Sequence, residues 1–195
     1  MRLSIRSSLA DVAVAVGDAL RRAGIRAVLT GGACANLYSR GVYQSLDVDF
    51  VLGESTTLGE LYRALAKLGF RRDRDHYVHA SVSFFVEFPT GPLGIGEDFS
   101  IRPVWRSRRA ARTLALSATD ACRDRLAAYY HWSDRQSLAA AVAIAARNHV
   151  AFGKVREWSR KEGKPEGYST FLAELRRHRQ AVRLRRRTSR AKPKR

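Results

Sequence analysis

The chain has 195 residues and a formal net charge of +18, from 36 Lys and Arg against 18 Asp and Glu. That length suits one ordinary core, or a core domain with a helical appendage, and the apolar content is that of a globular protein. No run reaches the roughly 18 unbroken apolar residues of a membrane span, Asp11 and Asp18 interrupt the N-terminal apolar stretch against a signal peptide, and two isolated cysteines, Cys34 and Cys122, exclude a disulfide framework or zinc site and point to a reducing cytoplasm.

Residues 8–23 read as an amphipathic helix. Leu9, Val12, Ala13, Val16 and Leu20 share one face, Ser8 caps the start and Gly24 suits the stop. The apolar run 25–29 is a short strand, Gly31-Gly32 a tight turn after it, and 33–38 the opening of a short helix. Residues 46–52 are the next strand. Thr57 to Glu60 fits a capping box, and Leu58, Leu61, Tyr62, Leu65 and Leu68 follow at helical spacing until Gly69. A third strand spans 82–88, closed by Pro89 and a glycine- and proline-rich loop, and an edge strand falls around 99–105. After about residue 117 helices follow one another at 119–131, 133–147, 151–162 and 168–186, with Ser133 to Gln136 as a capping box. The expected class is α+β: a mixed sheet with helices over 1–115, an all-helical part over 116–186, and a basic disordered tail over 187–195.

The charge is uneven. Residues 176–195 hold eleven Lys or Arg and no acid, which leaves +7 for the rest. A solvated tail and a grip on nucleic-acid phosphates both fit this pattern. The body stays basic without the tail, which favours a polyanionic partner. A membrane-surface role fits less well, because the tail lacks bulky apolar residues.

The chemistry concentrates in "VLTGGACANLYSRGVYQSLDVDFVL", residues 28–52. On a strand, Asp47 and Asp49 project to one face and Val48 and Phe50 to the other. Like charges side by side on a half-buried strand repel, and a cation between them removes the penalty. A solvated strand end, or an arginine, would also satisfy such a pair. Glu87 lies mid-strand in "FFVEF", and if its strand neighbours that of Asp47, three carboxylates can hold two Mg²⁺ ions roughly 3.5–4 Å apart for in-line phosphoryl chemistry. Gly31-Gly32, between a strand and a helix, leaves backbone N–H groups open to phosphate.

This ordered set resembles the nucleotidyltransferase superfold, whose signature is an apolar residue, Gly-Gly or Gly-Ser, a spacer, D-x-D/E and a later strand carboxylate. Within it the chain is similar to the minimal nucleotidyltransferases grouped with AbiEii-type toxins of type IV toxin–antitoxin systems. "VEFPTGPLGIG", "LSATDACRDRLAAYYHWSDRQSLAAAVAIA", "VREWSRKEG" and "FLAELR" extend the likeness along the chain. The resemblance implies Mg²⁺-dependent transfer of a nucleotide from an NTP to an acceptor such as tRNA, another RNA or a protein, and a cognate antitoxin as a partner. Carried over by residue, Gly31 and Gly32 cradle the triphosphate and Ser45 contacts it. Asp47, Asp49 and Glu87 hold the metals, and Glu87 activates the acceptor. Arg125 and Asp134 match a basic residue near the triphosphate and a later aspartate. Arg123 is an equal match to Arg125.

Other residues weigh less. His76, His79 and His131 fit hydrogen-bonded or surface roles as well as catalysis. Tyr129 to Trp132 could stack on a base, though helical spacing favours packing. Arg71, Arg72 and Arg74 read as a loop able to hold acceptor phosphates or simply solvated, and Trp105 and Trp158 as core or packing between the two halves. Cys34 lacks a partnered base for nucleophilic work. Two other functions stay open: a nucleic-acid-binding protein of this fold without turnover, and a transferase for small molecules. Cationic acceptors such as aminoglycosides suit so basic a chain poorly.

Overall fold

The computed structural model describes residues 3–53 and 56–190, with side chains described to Arg185. Helix α1 (Leu9–Arg22) begins where Ser8 and Asp11 close a capping box. Its Val12, Ala13, Val16 and Leu20 are buried, as their spacing requires. Strand β1 (Ala27–Leu29) leads into α2 (Gly31–Ser39), so the two glycines are the first residues of a helix rather than a separate turn. Strand β2 (Asp47–Leu52) is followed by α3 (Leu58–Ala66), whose Thr57–Glu60 capping box forms. Leu61, Ala64 and Leu65 make its buried stripe, and Leu58 and Tyr62 fall outside it in solvent.

Five more strands complete the sheet: β3 (Phe70–Asp73), β4 (His76–His79), β5 (Val82–Glu87), β6 (Val104–Arg108) and β7 (Ala111–Ala115). The seven strands run in the order β3-β4-β5-β2-β1-β7-β6. At the centre β2 pairs antiparallel with β1 and parallel with β5, so the sheet is mixed.

Two hairpins depart from the sequence-based expectation. β3–β4 takes up the stretch of Arg71, Arg72 and Arg74 that reads as a loop. β6–β7 moves the edge strand from 99–105 to 104–108 and adds 111–115. Each turn contains an arginine in the left-handed region, Arg74 at φ 58° and Arg109 at φ 53°. Short hairpins ordinarily show Asn-Gly or Asp-Gly at that point, so these left no compositional mark. Trp105, expected in the core or between the two halves, lies on the edge strand β6, half exposed, with the Arg112 guanidinium over its ring. Trp158 is buried, and its indole N–H donates to the Ile95 carbonyl at 3.1 Å.

The C-terminal half is α4 (Ala118–Trp132), α5 (Arg135–Arg147), α6 (Phe152–Lys161) and α7 (Pro165–Arg190). The cap between α4 and α5 is displaced by one residue. Ser133 ends α4 in the left-handed region, and Asp134 caps α5 by accepting from the Gln136 and Ser137 amides. α7 runs to Arg190, four residues into the stretch expected as tail, and residues 191–195 of that tail lie outside the described residues. The helices packed on the sheet are α1, α2 and α3, whereas α4 and α5 pack on α2 and on each other. The helix that begins at the two glycines, α2, is therefore one fastening between the helical half and the sheet half, and the 95–98 loop, bonded by Trp158 and Arg123, is another. Among the described residues no helix is long and apolar enough to cross a membrane.

Candidate metal and nucleotide site

Strand alternation builds the site. Val48 and Phe50 are fully buried, and Asp47 and Asp49 project to the other face, half-buried. Parallel pairing with β5 sets Asp49 opposite Glu87 and Asp47 opposite Phe85. Carboxylate oxygens of Asp47, Asp49 and Glu87 all lie within 4.8 Å of one another. The Ser45 hydroxyl donates to Asp47.

The three acids repel one another. Burial, then the Asp47 and Glu87 charges, push the Asp49 carboxyl up to about 7, against a smaller pull from Arg125. Hard oxygen donors in a cluster whose repulsion Arg125 only partly offsets fit a divalent cation of the Mg²⁺ type.

The glycines border this cluster. Gly31 opens α2 at φ +61°, and a Cβ there would overlap the Asp49 carboxylate. A Cβ on Gly32 would come 2.6 Å from Ser45 Oγ and 2.9 Å from the Tyr43 ring. Both positions therefore need glycine for close approach, and Gly31 needs it for its backbone as well. We expect Gly31→Ala to displace Asp49 and weaken Mg²⁺ binding at least about tenfold, with a stability loss of about 1–3 kcal/mol. Gly59→Ala, in the exposed first turn of α3 with only an Arg63 nitrogen at 3.5 Å, should be neutral or stabilising by up to about 1 kcal/mol. Calorimetric Mg²⁺ titration and thermal denaturation of both variants check this.

The two arginines of α4 separate. Arg125 pairs with Asp124 at 2.8 Å, and its Nη1 donates to Tyr43 Oη at 3.5 Å and Ser137 Oγ at 3.4 Å. It is the arginine whose charge acts on Asp49. Arg123 is fully buried, with Nη2 2.5 Å from Asp98 Oδ2, Nη1 2.9 Å from Asp120 Oδ1, and its guanidinium over the Trp158 ring. Asp134 is one side chain removed from Arg125. It accepts the Ser137 hydroxyl at 2.6 Å, and Ser137 in turn accepts from Arg125. Burial would raise the Asp134 carboxyl, but Ser137 and the amides of Ser137 and Gln136 hold it below the usual carboxylate range.

Tyr43, Asp124 and Ser137 escape sequence-based selection. Asp124 had a signal, being the acid between the two arginines in "CRDR". Tyr43 and Ser137 had none. The histidines divide clearly. His79 packs on Phe70 and accepts the Ser81 amide, and His131 lies 3.4 Å from Glu162, so neither belongs to the acidic cluster. His76 touches the Phe85 ring. Tyr130, from the aromatic run, stacks on Trp158 in the core. Cys34 is wholly buried, and burial pushes its thiol up, which removes it as a nucleophile.

No protein-family model and no curated protein matches the chain. Among solved structures its fold is similar to that of an antigenic nucleotidyltransferase-like protein from Paracoccidioides brasiliensis, with a TM-score of 0.56 and 17% identity over 93% of each chain. At that identity the likeness is one of fold. The chain has a nucleotidyltransferase-like α+β fold, with a seven-stranded mixed sheet that brings an acidic triad together on two adjacent strands.

Proposed function

We propose that this protein is a Mg²⁺-dependent nucleotidyltransferase that moves a nucleotide from an NTP to an RNA acceptor. The observation that carries this is the gathering of Asp47, Asp49 and Glu87 into one cluster bordered by Gly31 and Gly32. In this role the three carboxylates hold two Mg²⁺ ions. When bound, Mg²⁺ supplies the positive charge that acidifies an attacking hydroxyl and neutralises a departing pyrophosphate.

The rest falls to the chain. Gly31 and Gly32 leave the first amides of α2 open to the triphosphate at the positive end of the helix. Ser45 fixes Asp47 through its hydroxyl and reaches the triphosphate from there. Arg125 lends positive charge to the phosphates, and Tyr43, Asp124 and Ser137 hold it in place. Asp134 orients Ser137. Glu87 stands on β5, across β2 from the glycines, and accepts the proton of the acceptor hydroxyl. The +18 charge favours a polyanionic acceptor. The resemblance to AbiEii-type toxins further assigns the enzyme a growth-arresting role countered by an antitoxin in the cytoplasm.

The test incubates the full chain with each α-labelled NTP, Mg²⁺ and total cellular RNA or protein. Label is expected on RNA, only with a divalent metal present. Absence of label on every acceptor, under conditions where Mg²⁺ and NTP bind, would remove the transferase. Induced expression should arrest growth of the host if the toxin assignment holds.

A further inference from the structure

In-line displacement requires the attacking and departing oxygens on opposite sides of the transferred phosphorus. The strand order β4-β5-β2-β1 fixes those sides. The glycines of α2 follow β1, on one side of the acids. β5 and β4 lie on the other. With the pyrophosphate leaving toward Gly31-Gly32, the acceptor arrives over β5 and β4.

That path carries two rings, Phe85 and His76, beside a cation, Arg71. Phe85 pairs with Asp47 and shares its face. Tyr77 pairs with the buried Val86 on the opposite, core face, so His76 and Val78 project to the face of the acids. The rings of His76 and Phe85 lie 5.2 Å apart, tilted by 52°, and both are partly open to solvent. Arg71 pairs with Val78, so it belongs to the same face, and it is exposed with no carboxylate partner among the described residues. Two strand spacings, about 10 Å, separate β4 from β2. A terminal nucleotide can span that gap, with its base on the rings and its hydroxyl at the acids.

We propose that Phe85 and His76 form a stacking shelf for the unpaired terminal base of a single-stranded RNA acceptor, with Arg71 on its backbone phosphate. This rests on the transferase reading, which places the acceptor. Aromatic faces stack on any base and an adjacent cation holds the strand. Every nucleotide carries a ring to stack, whereas a polypeptide does so only where an aromatic or arginine side chain falls beside its acceptor group.

The experiment measures binding of a labelled single-stranded oligoribonucleotide to the full chain by fluorescence anisotropy, without NTP, beside a blunt duplex of the same sequence. Phe85→Ala and His76→Ala should each weaken single-strand binding about 5- to 100-fold. Phe85→Trp should retain it, and Arg71→Ala should lower the salt slope by about one. Circular dichroism establishes that each variant is folded. Loss of less than twofold in both ring variants, or equal binding of the blunt duplex, overturns the shelf. Because binding needs no turnover, the two ideas fail separately. A chain that binds through the rings yet transfers nothing sinks the transferase and supports the shelf. Normal labelling of RNA after both rings are removed sinks the shelf alone. Label found on polypeptide and never on RNA overturns the shelf as well.

Discussion

Asp47→Asn and Asp49→Asn are each expected to lower nucleotide transfer by about 10³-fold or more, because each removes a carboxylate that would hold the metal on which the reaction's charge stabilisation mainly rests. The same substitution at Asp49 has a second effect of opposite sign. In the metal-free protein its carboxyl sits at about 7, raised by burial and by Asp47 and Glu87. A carboxyl raised on folding binds protons more tightly in the folded state than in the unfolded chain, whose value is 3.8. Stability therefore falls as pH rises from about 4 through 7, and the loss is complete above 7. Asp49→Asn removes that loss, so above pH 7 without metal the inactive variant should be the more stable protein. Half-burial and solvent screening reduce the gain to about 1–2 kcal/mol. Mg²⁺ should reverse the order by stabilising wild type more than the variant. Denaturant titrations at pH 5 and pH 8, with EDTA and with Mg²⁺, read all four conditions. A variant less stable than wild type at pH 8 in EDTA would mean that the acids do not repel one another in the free protein.

The acids were legible because the two-residue period of a strand survives any tertiary setting. Asp47 and Asp49 had to share a face wherever β2 lay. Glu87 depended on β5 lying beside β2. Their pairing is parallel, with α3 and the β3–β4 hairpin intervening in the chain, and nothing local in the sequence encodes that adjacency. The family resemblance supplied it. Arg123 and Arg125 could not be separated by pattern, since residues two apart on a helix point about 200° apart and α4 has neighbours on several sides. Only the packed structure shows which of the two faces the acids. The hairpins at Arg74 and Arg109 were hidden for a different reason, because a left-handed arginine carries no turn signature.

Arg123→Met should cost about 3–5 kcal/mol of folding stability, the usual penalty for opening a buried ion pair from one side. Arg123 joins three elements. Its guanidinium bonds Asp120 of its own helix and Asp98 of the loop before β6, and lies over Trp158 of α6, while Lys154 adds a second cation 3.0 Å from Asp120. Met restores the volume and leaves Asp120 buried with half its compensation. Arg123→Lys should also lose stability, because a single ammonium cannot bridge both carboxylates in the geometry of a planar fork. Ser100 and then Arg123 hold the Asp98 carboxyl below the usual carboxylate range. A carboxyl lowered on folding contributes stability that is full above its unfolded value, near 4, and is lost progressively as pH falls from there through its lower folded value. The Met penalty should accordingly be largest at neutral pH and shrink under acid, which a denaturant midpoint measured from pH 7 to pH 3 would follow. The outcome also bears on the site. If Arg123→Met folds as stably as wild type but fails to bind NTP, Arg123 is the phosphate ligand and Arg125 is not. If it binds NTP normally at temperatures where it is folded, its charge serves the junction between the two halves, and Arg125 alone of the pair faces the triphosphate.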